Sequence, residues 1–354
     1  MTVKEFDLLY AIQKKGMQET AFLASLTGLS EEEIKTLLET FKASDYVNDK
    51  GITEAGLAAL SPYKVDNAVI MAAGMSSRFM PLSLEKPKGL LTVKGEILIE
   101  RQIKQLRAAG IEKIVIVLGY KHEEFLYLGE KYGVELVINP EYNTKNNTHT
   151  VYLAQKHLGN TYICSSDNYF SENVFRDYVY DSYYSAIHVN EKTNEWYMYP
   201  DENGCVARVE KSGEEGDIML GHVFWSRAFS NAFTELVNLH HAIGDYDDKL
   251  WEDLFADHIP TLPPMHIKVY PYDVICEFDS LEELRQFDKT YVDHSGSAIM
   301  EAICKTLSCE EHEIVNIKPI KDPKIGGTFS FEVRGKVYGY TYSDGAEDSI
   351  SALN

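Results

Sequence analysis

The chain has 354 residues, of which 44% are hydrophobic and 25% charged, and its formal net charge at pH 7 is −21. These proportions are ordinary for a globular protein, and no apolar run approaches the ~20 residues of a membrane-spanning helix, so we expect no membrane insertion. The negative charge argues against a nucleic-acid partner, because binding to DNA or RNA depends on neutralising phosphates. Five cysteines without a CxxC pair, and a start unlike a signal peptide, favour a cytoplasmic protein with reduced thiols.

Residues 1–62 carry the pattern of a small helical unit. Apolar residues recur at helical spacing in EFDLLYAIQKKG and SEEEIKTLLETFKASDYV, and Ser30 with Glu33 forms a capping box. The segment resembles winged helix-turn-helix domains, which usually bind DNA. Here the expected recognition helix opens with the glutamates 31–33, whose charge would repel phosphates. We therefore interpret the segment as a packing or regulatory module.

Residues 65–292 alternate apolar strands with amphipathic helices. The strands are NAVIMAAG, KIVIVLG, VELVINP and TYICSSD, each apolar on both faces, which is typical of buried parallel strands. This order predicts an α/β fold with a doubly wound, mixed and mostly parallel sheet of the Rossmann-like kind. Residues 293–354 form a further small α+β segment.

A loop with the sequence AAGMSSRFMPLSLEKPKGL follows the first of these strands, at residues 72–90. Gly74 permits a tight turn, and the next three backbone amides can point toward anionic oxygens. Arg78 offers a fork of donors to a triphosphate, and Lys88 follows a proline that stiffens its approach. The loop is neither a Walker A motif nor a GxGxxG motif, and it predicts a phosphate site in which Arg78 and Lys88 act in catalysis.

This loop is similar to that of the nucleotidyltransferases that activate sugar phosphates and phosphocholine, whose pattern is AAGxGSRxxPLTxxxPKxL. The resemblance continues through Gly119-Tyr120 and Asn146-Asn147 to about residue 290. Ser76 departs from this pattern, since many members have a glycine there. The difference matters because serine disfavours a positive φ. The resemblance implies that the nucleotide is bound by Ala72, Ala73, Gly74, Met75, Ser76, Ser77, Tyr120 and Asn147.

Two aspartates follow strands at positions suited to a metal. Asp167 ends the strand TYICSSD, at the sheet edge where doubly wound folds bind ligands, and Asp279 ends ICEFD with Glu277 on the same face. Nucleotidyl transfer needs Mg²⁺ to neutralise charge on the phosphates. The family resemblance carries a metal ligand onto both Asp167 and Asp279.

The second half of the chain contains all three tryptophans. Its aromatic residues suggest which molecule accepts the nucleotidyl group. Aromatic rings with a nearby carboxylate bind trimethylammonium groups, although such rings more often belong to a core. The strings NEW and DxxW closely resemble those of bacterial CTP:phosphocholine cytidylyltransferases of the lic pathway. That resemblance implicates Trp196, Asp248 and Trp251 in binding choline, with Leu250 standing where the family often has tyrosine.

The resemblance therefore implies Mg²⁺-assisted, in-line attack of phosphocholine on CTP, giving CDP-choline and pyrophosphate. Phosphocholine is largely a dianion at neutral pH and needs no general base. Two alternatives stay open: a sugar-1-phosphate nucleotidyltransferase, and a non-enzymatic winged-helix regulator that senses a nucleotide.

The C-terminal segment has a resemblance of its own. Residues 298–342, with a glycine turn at Gly326-Gly327, resemble the start of the amino-terminal lobe of a bacterial choline kinase. Since no kinase catalytic loop follows, we expect a remnant without kinase activity that serves in packing or in a homodimer contact.

Overall fold

The computed structural model of the chain describes residues 1–320, 328–342 and 349–353, so the turn expected at Gly326-Gly327 lies outside the described residues. Among the described helices, none combines the length and the apolar character needed to cross a bilayer.

Residues 1–62 fold into four helices and one short hairpin. The expected capping box is present, since Ser30 Oγ accepts from the Glu33 amide at 3.3 Å and the Glu33 carboxylate accepts from the Ser30 amide at 2.9 Å. The winged-helix class and a regulatory role stay predictions. The elements are α1 (Val3–Lys15), α2 (Thr20–Thr27), α3 (Glu31–Ala43), β1 (Val47–Asn48), β2 (Gly51–Ile52) and α4 (Glu54–Leu60).

This N-terminal unit contacts the rest of the chain at residues 177–180. The Asp177 carboxylate accepts hydrogen bonds from Tyr10 at 3.0 Å and from Lys14 at 2.5 Å. The rings of Phe6 and Tyr180 lie 5.5 Å apart. Aromatic packing and one ion pair therefore fix the unit against the larger domain.

The larger domain is built on one mixed sheet. The strands of the domain are β3 (Asn67–Ala72), β4 (Thr92–Val93), β5 (Glu96–Ile97), β6 (Ile114–Leu118), β7 (Glu135–Ile138), β8 (Thr161–Ser165), β9 (Tyr169–Phe170), β10 (Tyr183–Val189), β11 (Thr193–Pro200), β12 (Val206–Gly213), β13 (Gly216–Trp225), β14 (His266–Val269) and β15 (Ile275–Cys276). Of these, β4 with β5 and β9 with β15 form two small separate sheets. Its helices are α5 (Leu82–Glu85), α6 (Leu98–Ala108), α7 (Tyr127–Tyr132), α8 (Asn147–Ala154), α9 (Arg227–Ile243), α10 (Trp251–His258) and α11 (Leu281–Phe287).

The strand order in this sheet is β12-β11-β13-β8-β3-β6-β7, with β10 pairing β13 and β14 beside that path. Strands β8, β3, β6 and β7 pair in parallel, whereas β13 joins β8 antiparallel. The side chains of β3 alternate between the two faces of the sheet. Ile70 packs in the apolar cluster that contains Ile103 of α6, whereas Val69 packs in the cluster that contains Phe233 of α9. The expected doubly wound α/β fold is confirmed, with parallel pairing concentrated at its centre.

The C-terminal segment shares a core with the loop that follows β3. Leu82 and Leu84 of that loop belong to one apolar cluster with Met300 and Phe331. The Glu85 carboxylate also accepts hydrogen bonds from the first amides of the C-terminal helix, at 2.8 Å from the Ala298 nitrogen. The segment is therefore continuous with the domain's packing. Its elements are α12 (Ala298–Leu307), β16 (Val315–Pro319), β17 (Phe329–Val333), β18 (Lys336–Thr341) and β19 (Ser349–Ala352).

Candidate active site

A cavity of about 200 Å³ opens at the carboxyl ends of the central parallel strands. This edge is where doubly wound sheets bind ligands, because the loops that leave neighbouring strands diverge there. Five segments form its wall: the loop after β3, the segment before β4, the segment after β6, the stretch from the end of β7 to α8, and the end of β8. The lining residues are Met71, Ala72, Ala73, Gly74, Ser76, Pro87, Lys88, Gly89, Phe125, Asn139, Tyr142, Lys145, Asn146, Asn147, Thr150, Ser165, Ser166 and Asp167.

The loop after β3 turns at a different residue from the one expected. Gly74 does not adopt a positive φ, and a Cβ built on it would meet no atom within 4 Å. Ser76 instead takes the left-handed conformation, with φ 49° and ψ 50°. The assignment of the tight turn to Gly74 was therefore wrong. Gly74 leaves open space beside the cavity, and the serine adopts a conformation that costs a non-glycine residue about 1 kcal/mol.

Tyr120 contacts the loop after β3 through its backbone. Its amide donates to the Ala73 carbonyl at 3.1 Å, which fixes the loop against the end of β6, and the ring does not line the cavity. The preceding Gly119 is needed for this close approach, because a Cβ there would lie 2.6 Å from the Ala73 oxygen. Met75 and Ser77, two further predicted nucleotide contacts, lie in the same loop but outside the cavity wall.

Lys88 is a buried cation at the cavity, with 6% of its side chain exposed. Its Nζ lies 2.8 Å from Asp167 Oδ2. Burial alone would favour the neutral amine, but the carboxylates of Asp167 and Glu277 outweigh it and raise the pKa of Lys88. Lys88 is therefore a fixed positive charge at neutral pH.

Arg78 forms a second ion pair next to Lys88. Its Nη1 lies 2.7 Å from Asp279 Oδ2, and its side chain is 70% exposed, so it can exchange Asp279 for a ligand oxygen. Glu277 accepts from the Gly221 amide at 3.3 Å. Desolvation by the surrounding protein atoms, together with repulsion from Asp167, raises the pKa of Glu277 to about 7.

The acidic groups fit a divalent cation. Asp167 and Asp279 each pair with one cation, and Glu277 is a third carboxyl group beside them. Carboxylate oxygens are the ligands that Mg²⁺ prefers, and a bound cation would relieve the repulsion that raises the pKa of Glu277. The structure thus brings Lys88, Arg78, Asp167 and Asp279 together, as the sequence analysis expected.

Asn147 lines the cavity and also joins two helices. Its Oδ1 accepts from the Trp251 amide at 2.6 Å, and its Nδ2 donates to Glu252 Oε2 at 3.2 Å. Tyr184 donates to the other Glu252 oxygen at 3.2 Å. Burial nevertheless raises the pKa of Glu252 to about 7. Asn147 therefore holds the start of α10 against the start of α8.

The three residues expected to bind the acceptor do not share one surface. Trp196 is half-buried on β11, and the Lys211 ammonium lies 4.3 Å from the centre of its ring. Asp248 is exposed in the loop before α10, where its carbonyl accepts from Asn146 at 3.4 Å. The Trp251 ring is 1% exposed and stacks 5.6 Å from Tyr184. Because a ring with no exposed face cannot touch a ligand, the cage contact expected of Trp251 is corrected to a role in the core.

Trp251→Ala is expected to lower the free energy of unfolding by about 3–5 kcal/mol, because it empties a large buried site. Urea unfolding followed by circular dichroism measures the loss. Trp196→Ala is the matched control, and we expect a loss of about 1 kcal/mol or less because that ring is half-exposed. A Trp251→Ala protein as stable as the wild type would contradict the core position.

Sequence reasoning missed several residues of the cavity wall. Asn139 directly follows β7, so the rule that ligands bind at the carboxyl ends of strands would have found it. Lys145 precedes the Asn146-Asn147 pair, and a cation beside two amides could have been flagged. Tyr142 lines the wall from the loop after β7 and carries no comparable signal. Glu252 lies outside the wall, and only its bond to Asn147 connects it to the site.

A buried lysine among carboxylates, facing a cavity at the ends of parallel strands, defines a site for phosphate-bearing ligands. Residues 68–234 match the MobA-like NTP transferase domain. The chain is 33% identical over 222 residues to the choline-phosphate cytidylyltransferase of Streptococcus pneumoniae, covering 63% of this chain and 96% of that protein. It is 34% identical over 232 residues to the 2-aminoethylphosphonate cytidylyltransferase of Lancefieldella rimae, covering 64% and 93%.

The solved structure of CTP:phosphocholine cytidylyltransferase from Streptococcus pneumoniae superimposes with a TM-score of 0.61 at 33% identity, covering 64% of this chain and 98% of that one. The chain therefore belongs to the nucleotidyltransferase family of these cytidylyltransferases, and it is an enzyme of that class. Enzymes of this family act on small-molecule nucleotide and phosphate substrates and typically use a divalent metal.

Proposed function

We propose that the protein is a cytidylyltransferase that joins CTP and phosphocholine, with Mg²⁺ as its metal. The observation that carries the proposal is Lys88, a buried ammonium held 2.8 Å from Asp167 at the wall of a cavity lined by a phosphate loop. The two relatives described above are named for cationic acceptors, choline phosphate and 2-aminoethylphosphonate. Both acceptors combine a positively charged amine with a phosphorus-bearing dianion.

The residues of the site would divide the work as follows. The amides of the loop after β3 bind the triphosphate, and Lys88 and Arg78 stabilise negative charge that develops on its oxygens. Asp167 and Asp279, with Glu277 beside them, hold the Mg²⁺, which neutralises phosphate charge when bound. A phosphocholine oxygen forms the new bond to the α-phosphorus of CTP, while the bond to pyrophosphate breaks. Positioning and charge stabilisation are the main contributions, as in other phosphoryl transfers.

Trp196 supports a cationic acceptor. The ring already attracts a cation, because Lys211 lies 4.3 Å from its centre, and Asp253 holds that ammonium at 2.8 Å. A trimethylammonium group makes the same kind of contact with an aromatic face, aided by a nearby carboxylate. We therefore propose that Trp196 binds choline, with Asp253 supplying negative charge nearby. The contact expected of Asp248 stays a prediction.

A pyrophosphate-release screen tests the proposal. CTP, UTP, GTP and ATP are each combined with phosphocholine, 2-aminoethylphosphonate, phosphoethanolamine and glucose 1-phosphate. We expect the fastest release with CTP and phosphocholine. Release only with glucose 1-phosphate would favour the sugar-1-phosphate alternative, and release with 2-aminoethylphosphonate alone would keep the cytidylyltransferase class but replace the acceptor. Membership of an enzyme family disfavours the non-enzymatic regulator.

Trp196→Leu is expected to raise the KM for phosphocholine about five- to thirtyfold while the KM for CTP stays the same, because it removes a cation–π contact of ~1–2 kcal/mol. Steady-state kinetics with each substrate varied in turn measures both constants. Tyr199→Leu is the control, since Tyr199 lies on the same strand and also carries a cation over its ring, Arg208 at 4.0 Å. Equal KM changes in both variants would remove Trp196 from the acceptor site.

The predicted cytoplasmic location suits an enzyme that consumes CTP, and we keep it as part of the proposal. The homodimer contact stays a prediction.

A further inference from the structure

A second cluster of metal-ligating side chains lies beside the cavity. His149 is on α8, His241 is near the end of α9, and Asp247 is in the loop that leads to α10. One ligand atom from each residue lies within 4.8 Å of the other two. Within the described part of the chain, no other three histidine, cysteine or carboxylate side chains approach each other so closely. The cluster is distinct from the carboxylates around Lys88.

His149 is buried without a hydrogen bond. It is 3% exposed, and neither Nδ1 nor Nε2 makes a hydrogen bond. The Glu141 carboxylate comes nearest, with its Oε2 3.2 Å from Nε2. Burying a polar ring without a partner is unfavourable, so an occupant that accepts its lone pair would stabilise it. Burial, assisted by the nearby Lys145, lowers the pKa of His149, and the neutral imidazole is the form that binds metals.

His241 and Asp247 are already oriented toward each other. His241 Nδ1 lies 3.1 Å from Asp247 Oδ1, and the imidazole stacks on Tyr152 with ring centres 3.7 Å apart. Partial burial would raise the pKa of Asp247, but contacts with His241 and Lys145 lower that pKa. Asp247 is therefore kept anionic. His241 and Asp247 therefore offer an imidazole nitrogen and a carboxylate oxygen side by side, and both are zinc ligands.

Lys145 is the one cation in contact with this cluster among the described residues. Its Nζ lies 3.1 Å from Asp247 Oδ2 and 3.3 Å from Glu141 Oε1. One ammonium therefore faces two carboxylates, so the cluster keeps an excess of negative charge. Lys145 also lines the cavity, so its ammonium can move toward the cavity when an ion binds to the cluster.

We propose that His149, His241 and Asp247, with Glu141 as a fourth ligand, bind a divalent transition-metal cation such as Zn²⁺. Two imidazoles with carboxylates select Zn²⁺, Co²⁺ or Ni²⁺ over Mg²⁺ and Ca²⁺, which prefer oxygen ligands alone. Tetrahedral bonds of ~2.0–2.1 Å place ligand atoms ~3.4 Å apart, so small side-chain rotations close the site. The bound ion fastens α8 to α9 and to the loop before α10, next to Asn146 and Asn147 of the cavity wall.

The test is titration of untagged, metal-free protein with Zn²⁺ and with Co²⁺, in excess Mg²⁺ that occupies the carboxylates around Lys88. Calorimetry and metal analysis after dialysis measure stoichiometry and affinity. We expect one equivalent of Zn²⁺, and with Co²⁺ the visible absorption of tetrahedral nitrogen and oxygen ligation without a thiolate charge-transfer band. We expect the His241→Gln substitution to lower the affinity for Zn²⁺ at least tenfold.

The control is His240→Gln, because His240 neighbours His241 on the same helix but lies 2.9 Å from Asp245, outside the cluster. Its affinity for Zn²⁺ should equal that of the wild type. If His241→Gln does not fold, Asp247→Asn in the loop takes its place. The proposal is overturned by the absence of saturable Zn²⁺ binding, by a thiolate band, or by equal affinity in the wild type and the cluster variants.

Discussion

Lys88→Ala is expected to lower kcat by about 100- to 1,000-fold while the fold persists. The reason is that Lys88 is a preorganised charge: its Nζ is held 2.8 Å from Asp167, its side chain is 6% exposed, and neighbouring carboxylates keep it protonated. Removing one such donor from a desolvated site commonly has an effect of this size. Initial rates of pyrophosphate release at saturating CTP and acceptor measure the loss, and circular dichroism with thermal unfolding reports the fold.

Lys86→Ala is the matched control for this prediction. Lys86 lies in the same loop and carries the same charge, but it is exposed and does not line the cavity. We expect its kcat to stay within about twofold of the wild type, since exposed charges contribute little. If Lys88→Ala turned over as fast as Lys86→Ala, the catalytic role of the buried ammonium would have to be abandoned.

Asp167→Asn is expected to lower kcat by about 100-fold or more and to raise the Mg²⁺ concentration needed for half-maximal rate. The substitution keeps the side-chain size but removes a charge that contacts Lys88 and lies beside Glu277. Mg²⁺ binds anionic oxygens far better than amide oxygens, so the loss falls on the metal as well as on the lysine. Rates measured across a Mg²⁺ series separate the two effects.

Asp273→Asn provides the comparison, because Asp273 is exposed and follows β14 on the way to Glu277. It should reproduce the wild-type Mg²⁺ curve. An Asp167→Asn enzyme with the same curve would show that another group holds the metal.

The features predicted correctly from sequence are those that local patterns determine. An apolar run followed by a polar residue placed Asp167 at the end of β8, and the Ser30–Glu33 spacing located the start of α3. Alternation of strands and helices was enough to predict the parallel centre of the sheet. In each case the physical cause lies within a few residues of its effect.

The features that sequence did not reveal depend on distant packing. Trp251 is of a residue type expected in a cage for choline. Its position on α10, however, packs its ring against Tyr184 and Trp225. His149 and His241 meet only because α8 packs against α9. Ser76 is different: the family pattern pointed to a positive φ at this position, and the structure shows it there although serine disfavours it.

The C-terminal segment shares a core with the loop that carries Arg78 and Lys88, and this distinguishes the chain from its shorter relatives. The two relatives named above align over 93–96% of their own length but only 63–64% of this chain, so about a third of this chain has no counterpart in those alignments. Here Glu85 begins α12 by accepting from the Ala298 amide, and Leu84 packs with Met300. The loop that carries Arg78 and Lys88 is therefore packed against, and hydrogen-bonded to, a segment that those alignments leave out. We therefore expect a substitution at Met300 to disturb this loop and lower turnover, although Met300 does not line the cavity.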